Sequence, residues 1–160
     1  MPVRGLYPRQ LRELIVRPVL IDLGWWSQPA EDLVMGTAAQ ESRLRYLRQL
    51  PNGPALGIWQ MEPATHDRHW HMYITPRQSL RARIMDTCRL AEPVAGIPSA
   101  TTLLFNLRYG AAMCRLHYRR VPAPLPEDLA GQAAYWKDYY NTADGAGTVA
   151  EYVANYALVA

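Results

Sequence analysis

Proline and glycine cut this chain into short lengths. The 160 residues include 13 Pro and 10 Gly, and between these breaks the apolar residues recur at helical spacing. Strand-like alternation is almost absent. Segments of this kind can bury a face only by packing on one another as short helices, so the pattern predicts a mostly α fold of about six to eight helices. Helices are predicted over 8–23, 28–47, 64–73, 77–91, 99–119, 127–140 and 147–158. Pro18 should bend or split the first, and Gly24 should end it. Ser27 is a good N-cap for the second, with Pro29 in its first turn and Glu31 and Asp32 near its positive end. Its expected buried stripe is Leu33, Val34, Thr37, Ala38 and Leu44, and Gly36 predicts the close approach of a neighbour. The run PNGPALG at 51–57 is turn-rich, with room for at most a small hairpin near 55–61.

The length fits one domain, 1–160, that buries a core without metal or disulfide staples. Hydrophobic residues are 49% and charged residues 19%, a globular balance. Cys88 and Cys114 make no CxxC motif, and whether they pair is left open. The net charge is +3, carried by 17 basic residues of which only Lys137 is lysine. The arginines are scattered, which argues against a nucleic-acid partner. No apolar run approaches the ~20 residues that span a bilayer, and the N-terminus shows no signal peptide. A chain made in the cytosol is expected. The amphipathic tail 148–159 lacks Lys and Arg, so it is expected to dock on the domain rather than on a membrane.

Two segments carry chemistry when read together. AAQES at 38–42 places Glu41 near a helix end, and GIWQMEPAT at 57–65 brings Trp and Gln from a turn. A carboxyl packed against apolar groups such as Trp59 has its ionised form disfavoured, which suits a general acid. Glu62 and Asp67 are candidates for a second carboxylate or for surface acids. His66, His69 and His71 form H-x-x-H-x-H. On a helix, 71 lies away from the other two, so no metal site is expected. Of Trp25, Trp26, Trp59, Trp70 and Trp136, at least three are expected in the core; any others could stack on sugar faces.

These residues resemble the soluble lytic transglycosylase branch of the lysozyme-like superfamily. Glu41-Ser42 match its Glu-Ser element, and Gly57, Gln60, Pro63, Ala64 and Thr65 match its Gly-Leu-Met-Gln-x-Met-Pro-Ala-Thr element in order. Asn106 and Gly110 match an Asn-x-x-x-Gly element. Tyr140, Asn141, Gly145, Gly147 and Val149 match a Tyr-Asn-x-Gly-x-Gly-x-Val element, with two extra residues before the first Gly. The resemblance covers 38–153 and leaves 1–26 as a helical extension. The chain departs from it at Trp59, at Met61-Glu62 and throughout 66–98.

The resemblance implies a lysozyme-like domain that cleaves the β-1,4 MurNAc–GlcNAc bond of peptidoglycan glycan strands. Glu41 would serve as acid and then base, yielding a 1,6-anhydro product without a cofactor. It implies that Ser42, Gln60, Tyr140 and Asn141 contact substrate or orient the acid; Trp59, where the chain departs from it, is a candidate to stack on a sugar. A hydrolytic muramidase using Glu62 or Asp67 to handle water is the alternative outcome. A non-catalytic virion or ejection protein with this fold is a third reading. Without a signal peptide or a wall-binding module, a phage or prophage origin is expected. The chain would then reach the periplasmic wall through a virion or during lysis, alongside other virion or holin components.

Overall fold

The computed structural model describes residues 5–141 and 145–160. The first few residues of the N-terminal extension, and residues 142–144 of the Tyr-Asn-x-Gly element, lie outside them. Among the described residues the fold is helical, with two isolated bridges, Arg48–Leu56 and Leu56–Met61, as its extended pairing. The second bridge closes the tight turn expected near 55–61.

We number the helices α1 to α7. Helix α1 covers 8–22 in three pieces: Pro8–Gln10, a π-helical stretch Leu11–Val16, and Arg17–Asp22. The chain neither splits nor stops at Pro18. The wider π turn ahead of it shifts the ladder, so that Arg17 N–H donates to Arg12 O, and the proline is taken in without a break. Gly24 then turns the chain at φ 72°. Helix α2, Gln28–Ser42, starts on the predicted cap, with Ser27 Oγ accepting from Ala30 N–H. Helix α3 joins Pro63–His69 to a π-helical Trp70–Ile74. Helix α4 is Gln78–Thr87. A 3-10 turn, Ala100–Leu104, precedes α5, Leu107–Arg119. Helix α6 joins Leu129–Trp136 to a π-helical Lys137–Asn141. Helix α7 is Val149–Tyr156.

Three predicted helices are shorter or broken. α2 ends at Ser42 and not at Leu47. Arg43 and Leu44 turn left-handed at φ 51° and 59°, which swings Leu44 into the core and lets its carbonyl accept from Leu6 N–H. α4 ends at Thr87, because Arg89 is left-handed at φ 54°. The predicted 99–119 helix is interrupted at Phe105. Asn106 then caps α5, its Oδ1 accepting from Tyr109 N–H and its Nδ2 donating to Cys88 O.

One cluster of buried side chains draws on all seven helices. Leu11, Val16, Val19, Leu20 and Leu23 belong to it, so the N-terminal helix is part of the core and not an appendage. Trp59, Trp70 and Trp136 are buried, while Trp26 is exposed. The tail packs on α2: Tyr152 is buried, and a side chain at Gly36 would collide with its hydroxyl. Cys88 and Cys114 are buried free thiols. No helix of the described residues is long and apolar enough to cross a membrane.

Candidate functional site

The end of α2 opens into a cleft of about 760 Å³. Gln40 and Glu41 reach it from α2, Gln60 and Glu62 from the turn before α3, and His117 from α5. Trp136, Tyr140 and Asn141 reach it from α6, residues 145–147 follow, and Glu151 comes from α7. Segments distant in sequence therefore meet around one carboxyl.

Glu41 is half-buried in this cleft. Its Oε1 accepts a hydrogen bond from Trp136 Nε1–H at 2.9 Å. Burial disfavours the charged carboxylate and pushes the pKa up to about 7, with the indole bond opposing only in part. The negative end of the α2 dipole acts in the same direction as burial. The buried Cys114 thiol and Tyr140 hydroxyl lie within electrostatic reach, and both are held neutral by burial. Because Oε1 is occupied by an N–H donor, the carboxyl proton belongs on Oε2. Burial thus favours the protonated form of a carboxyl that lines the cleft, the form able to donate a proton near neutral pH.

The surrounding residues hold this geometry. Gly57 lies at φ 76°, and a Cβ there would come within 2.4 Å of Leu103 O. The turn it makes sets Gln60, itself left-handed at φ 48°, in the cleft wall with Nε2–H donating to Gly57 O at 2.7 Å. Tyr140 Oη–H donates to Trp59 O at 2.6 Å. Its ring stacks on Tyr118 and meets His117 edge-on, so it is both core and cleft wall. Asn141 Oδ1 accepts from Lys137 Nζ–H at 2.7 Å.

Other residues singled out in the sequence lie elsewhere. Ser42 is buried and its Oγ–H donates back to Ala38 O, a helix-end bond that does not face the cleft. Trp59 is 2% exposed, and its Nε1–H is spent on Val34 O. It is core beneath the wall rather than a sugar platform. Asp67 sits outside the cleft, where its carboxylate pairs with His66 Nδ1. Glu62 is in the cleft and exposed.

The histidines serve structure. His66 Nε2 is bonded to the Tyr109 hydroxyl, which also accepts from Trp70 Nε1–H. Arg120 donates to His69 Nδ1, His69 Nε2–H to His117 Nδ1, and His117 Nε2–H to Tyr139 O. This one-way run fixes both imidazoles as neutral tautomers. His71 is exposed. Among the described residues no group of three His, Cys, Asp or Glu side chains could hold a metal ion.

Gln40, His117, Trp136 and Glu151 line the cleft without being site candidates in the sequence. In the sequence Trp136 is one tryptophan among five, and its place in the site depends on a contact with Glu41 from another helix. Gln40 precedes Glu41 within AAQES but matches no named position of the resemblance, and neither do His117 and Glu151. Compared with known proteins, the chain matches no family model, no curated sequence and no solved structure.

Proposed function

We propose that the chain is a peptidoglycan-cleaving lytic transglycosylase with Glu41 as its acid/base. The observation that carries this reading is Glu41, half-buried in a cleft of about 760 Å³ and bonded to the Trp136 indole, where burial raises its pKa to about 7. The order of the sequence elements supports it too, since Glu41, Gln60, Tyr140 and Asn141 come from three of them and meet in that cleft.

Glu41 donates its Oε2 proton to the glycosidic oxygen as the bond to the MurNAc C1 breaks. The substrate's own N-acetyl oxygen stabilises the cation. The resulting Glu41 carboxylate then takes the proton of the MurNAc 6-hydroxyl as O6 attacks C1, closing the 1,6-anhydro ring. An intramolecular nucleophile needs no positioned water, and its proximity lowers the entropic barrier. The Trp136 indole keeps the carboxyl oriented through both proton transfers. Gln60 and Asn141 offer amide groups to sugar substituents.

A hydrolytic outcome has one observation in its favour: Glu62 lies exposed in the same cleft. It would there hold a water for attack on C1. Product chemistry decides. Purified sacculi are digested with wild type and Glu41→Gln, and muropeptides are read by mass spectrometry. Anhydro-MurNAc ends that fall by at least ~100-fold in Glu41→Gln are expected. Reducing ends would transfer the reading to a muramidase. No cleavage by the folded wild type would sink both, and would leave a binding or structural role for the cleft.

A further inference from the structure

Lys137 is the only lysine in a chain that otherwise uses arginine, 17 basic residues in all. It stands where an arginine would not fit. Its Nζ donates to Asn141 Oδ1 at 2.7 Å, Gly145 O at 2.9 Å and Gly147 O at 2.7 Å. An ammonium carries three N–H groups around one point, and three oxygens converge on that point. The planar fork of a guanidinium spreads its donors outward and could not satisfy all three.

What the lysine holds is the cleft wall beside the acid. A Cβ built on Gly147 would lie 2.6 Å from Trp136 Cη2 and 3.1 Å from Gln40 Nε2. The backbone at 147 is therefore pressed against the edge of the indole whose N–H bonds Glu41 Oε1. Gln40 is in turn fixed by Asn155 Nδ2–H on its Oε1 at 2.8 Å. The contacts run from Lys137 to residues 145–147, to the indole, and to the carboxyl.

We propose that Lys137 is a positioning residue that clasps residues 145–147 onto Trp136 and so keeps water away from Glu41. This rests on reading Glu41 as the acid, but its test does not require activity. The titratable groups around Glu41 are Cys114 and His117 from α5, Tyr140 from α6, Glu62 from the turn and Glu151 from α7. His117 stays neutral in its run of hydrogen bonds, and the remaining groups are thiol, phenol or carboxyl. Lys137, also on α6, adds a cation, and its loss in Lys137→Met would by charge alone raise a carboxyl pKa. Releasing the clasp hydrates the carboxyl, and hydration favours the charged form, so a lowered midpoint reports hydration and not charge.

The test is a side-chain carbon NMR titration of protein carrying labelled glutamate, with the Glu41 resonance assigned by its loss in Glu41→Gln. In wild type the midpoint is expected at about 7. Lys137→Met should lower it by about one pH unit or more, and Lys137→Arg should lower it as well. An unchanged or raised midpoint in Lys137→Met overturns the proposal. A wild-type midpoint in Lys137→Arg would overturn the three-point clasp, since a guanidinium could not satisfy all three oxygens. A second measurement needs no variant: the Lys137 amine of the folded protein should be acetylated at least about tenfold more slowly than in the urea-unfolded chain. Equal rates would also overturn it. Where wild type cleaves glycan, the basic limb of the pH–rate profile should move with the NMR midpoint, with kcat lowered more than KM is raised. A wild type without activity whose midpoint still falls in Lys137→Met would sink the proposed function and keep the clasp.

Discussion

Glu31 and Glu41 lie on the same helix, and their surroundings push them to opposite ends of the carboxylic range. Burial alone would raise Glu31, but Arg17, Arg12 and the Trp26 indole all donate to it and hold it at about 2. Glu41 has one neutral donor and no cation, and rises to about 7. The α2 dipole acts with both, favouring charge near its start and disfavouring it near its end. One glutamate is held as an anion and the other is pushed toward its neutral form. The sequence carried half of this. Glu41 was legible because a motif flanked it. In the sequence Glu31 shows only as a favourable first-turn acid, since its partners come from α1 and the intervening loop.

The anion role is testable. Glu31 is fully buried, with Arg12 and Arg17 both at 2.8 Å. Glu31→Gln strips the charge and leaves two guanidinium groups without their shared partner. It should destabilise the fold by about 3 kcal/mol at pH 7, read from urea unfolding. Because the folded pKa lies below the unfolded one, this stability is present above about 4.5 and is lost as the pH falls toward about 2. The gap between variant and wild type should therefore close over that interval. A gap that does not change with pH would show that packing, and not the ion cluster, is what the substitution removed.

At the level of elements, Ser27 marks the start of α2 in the sequence, while the cap at Asn106 lies inside the stretch 99–119 that reads as one helix. Ser27, Asn106, Asp128 and Thr148 each accept from a backbone N–H in the first turn of a helix, and caps of this kind are local chemistry. Helix ends were harder to read. α2 and α4 both stop beside a left-handed Arg, where no glycine or proline warns of it, and for α2 tertiary burial of Leu44 overrides helix propensity. The motif glycines also prove architectural. Gly110 is in the first turn of α5, inside the helix, where alanine would ordinarily gain up to about 1 kcal/mol. Its Cβ would come within 2.7 Å of the Trp59 ring, and that ring is buried with its N–H bonded to Val34 O. Gly110→Ala should therefore destabilise by roughly 1–3 kcal/mol, reversing the usual sign. The strain should reach the cleft too, because Trp59 O holds the Tyr140 hydroxyl. A thermal scan showing a higher Tm for Gly110→Ala would refute the close packing of α5 on the turn.

For the molecule as a whole, these groups set a stability profile with two opposed slopes. Burial lowers the pKa of His66, His69 and His117, with His69 at about 3. Each binds fewer protons folded than unfolded as the pH falls below about 6.5, so each makes stability rise with pH up to that point. Glu31 adds a rise of the same sign at lower pH. Glu41 does the reverse: its folded pKa lies above the unfolded value, so the fold loses stability as pH rises from about 4.5 to about 7. Three imidazoles against one carboxyl should leave a net rise between pH 4.5 and 6.5. Removing the carboxyl should steepen it. Glu41→Gln keeps an oxygen for the Trp136 N–H but abolishes the opposing titration. Its stability should match wild type near pH 4 and exceed it by up to about 3 kcal/mol at pH 8. Urea midpoints across pH 4–8 for the two proteins would check this. A variant that is no more stable at pH 8 would mean that Glu41 ionises there without penalty, and the cleft would then hold an ordinary surface carboxylate in place of an acid kept protonated at a cost to the fold.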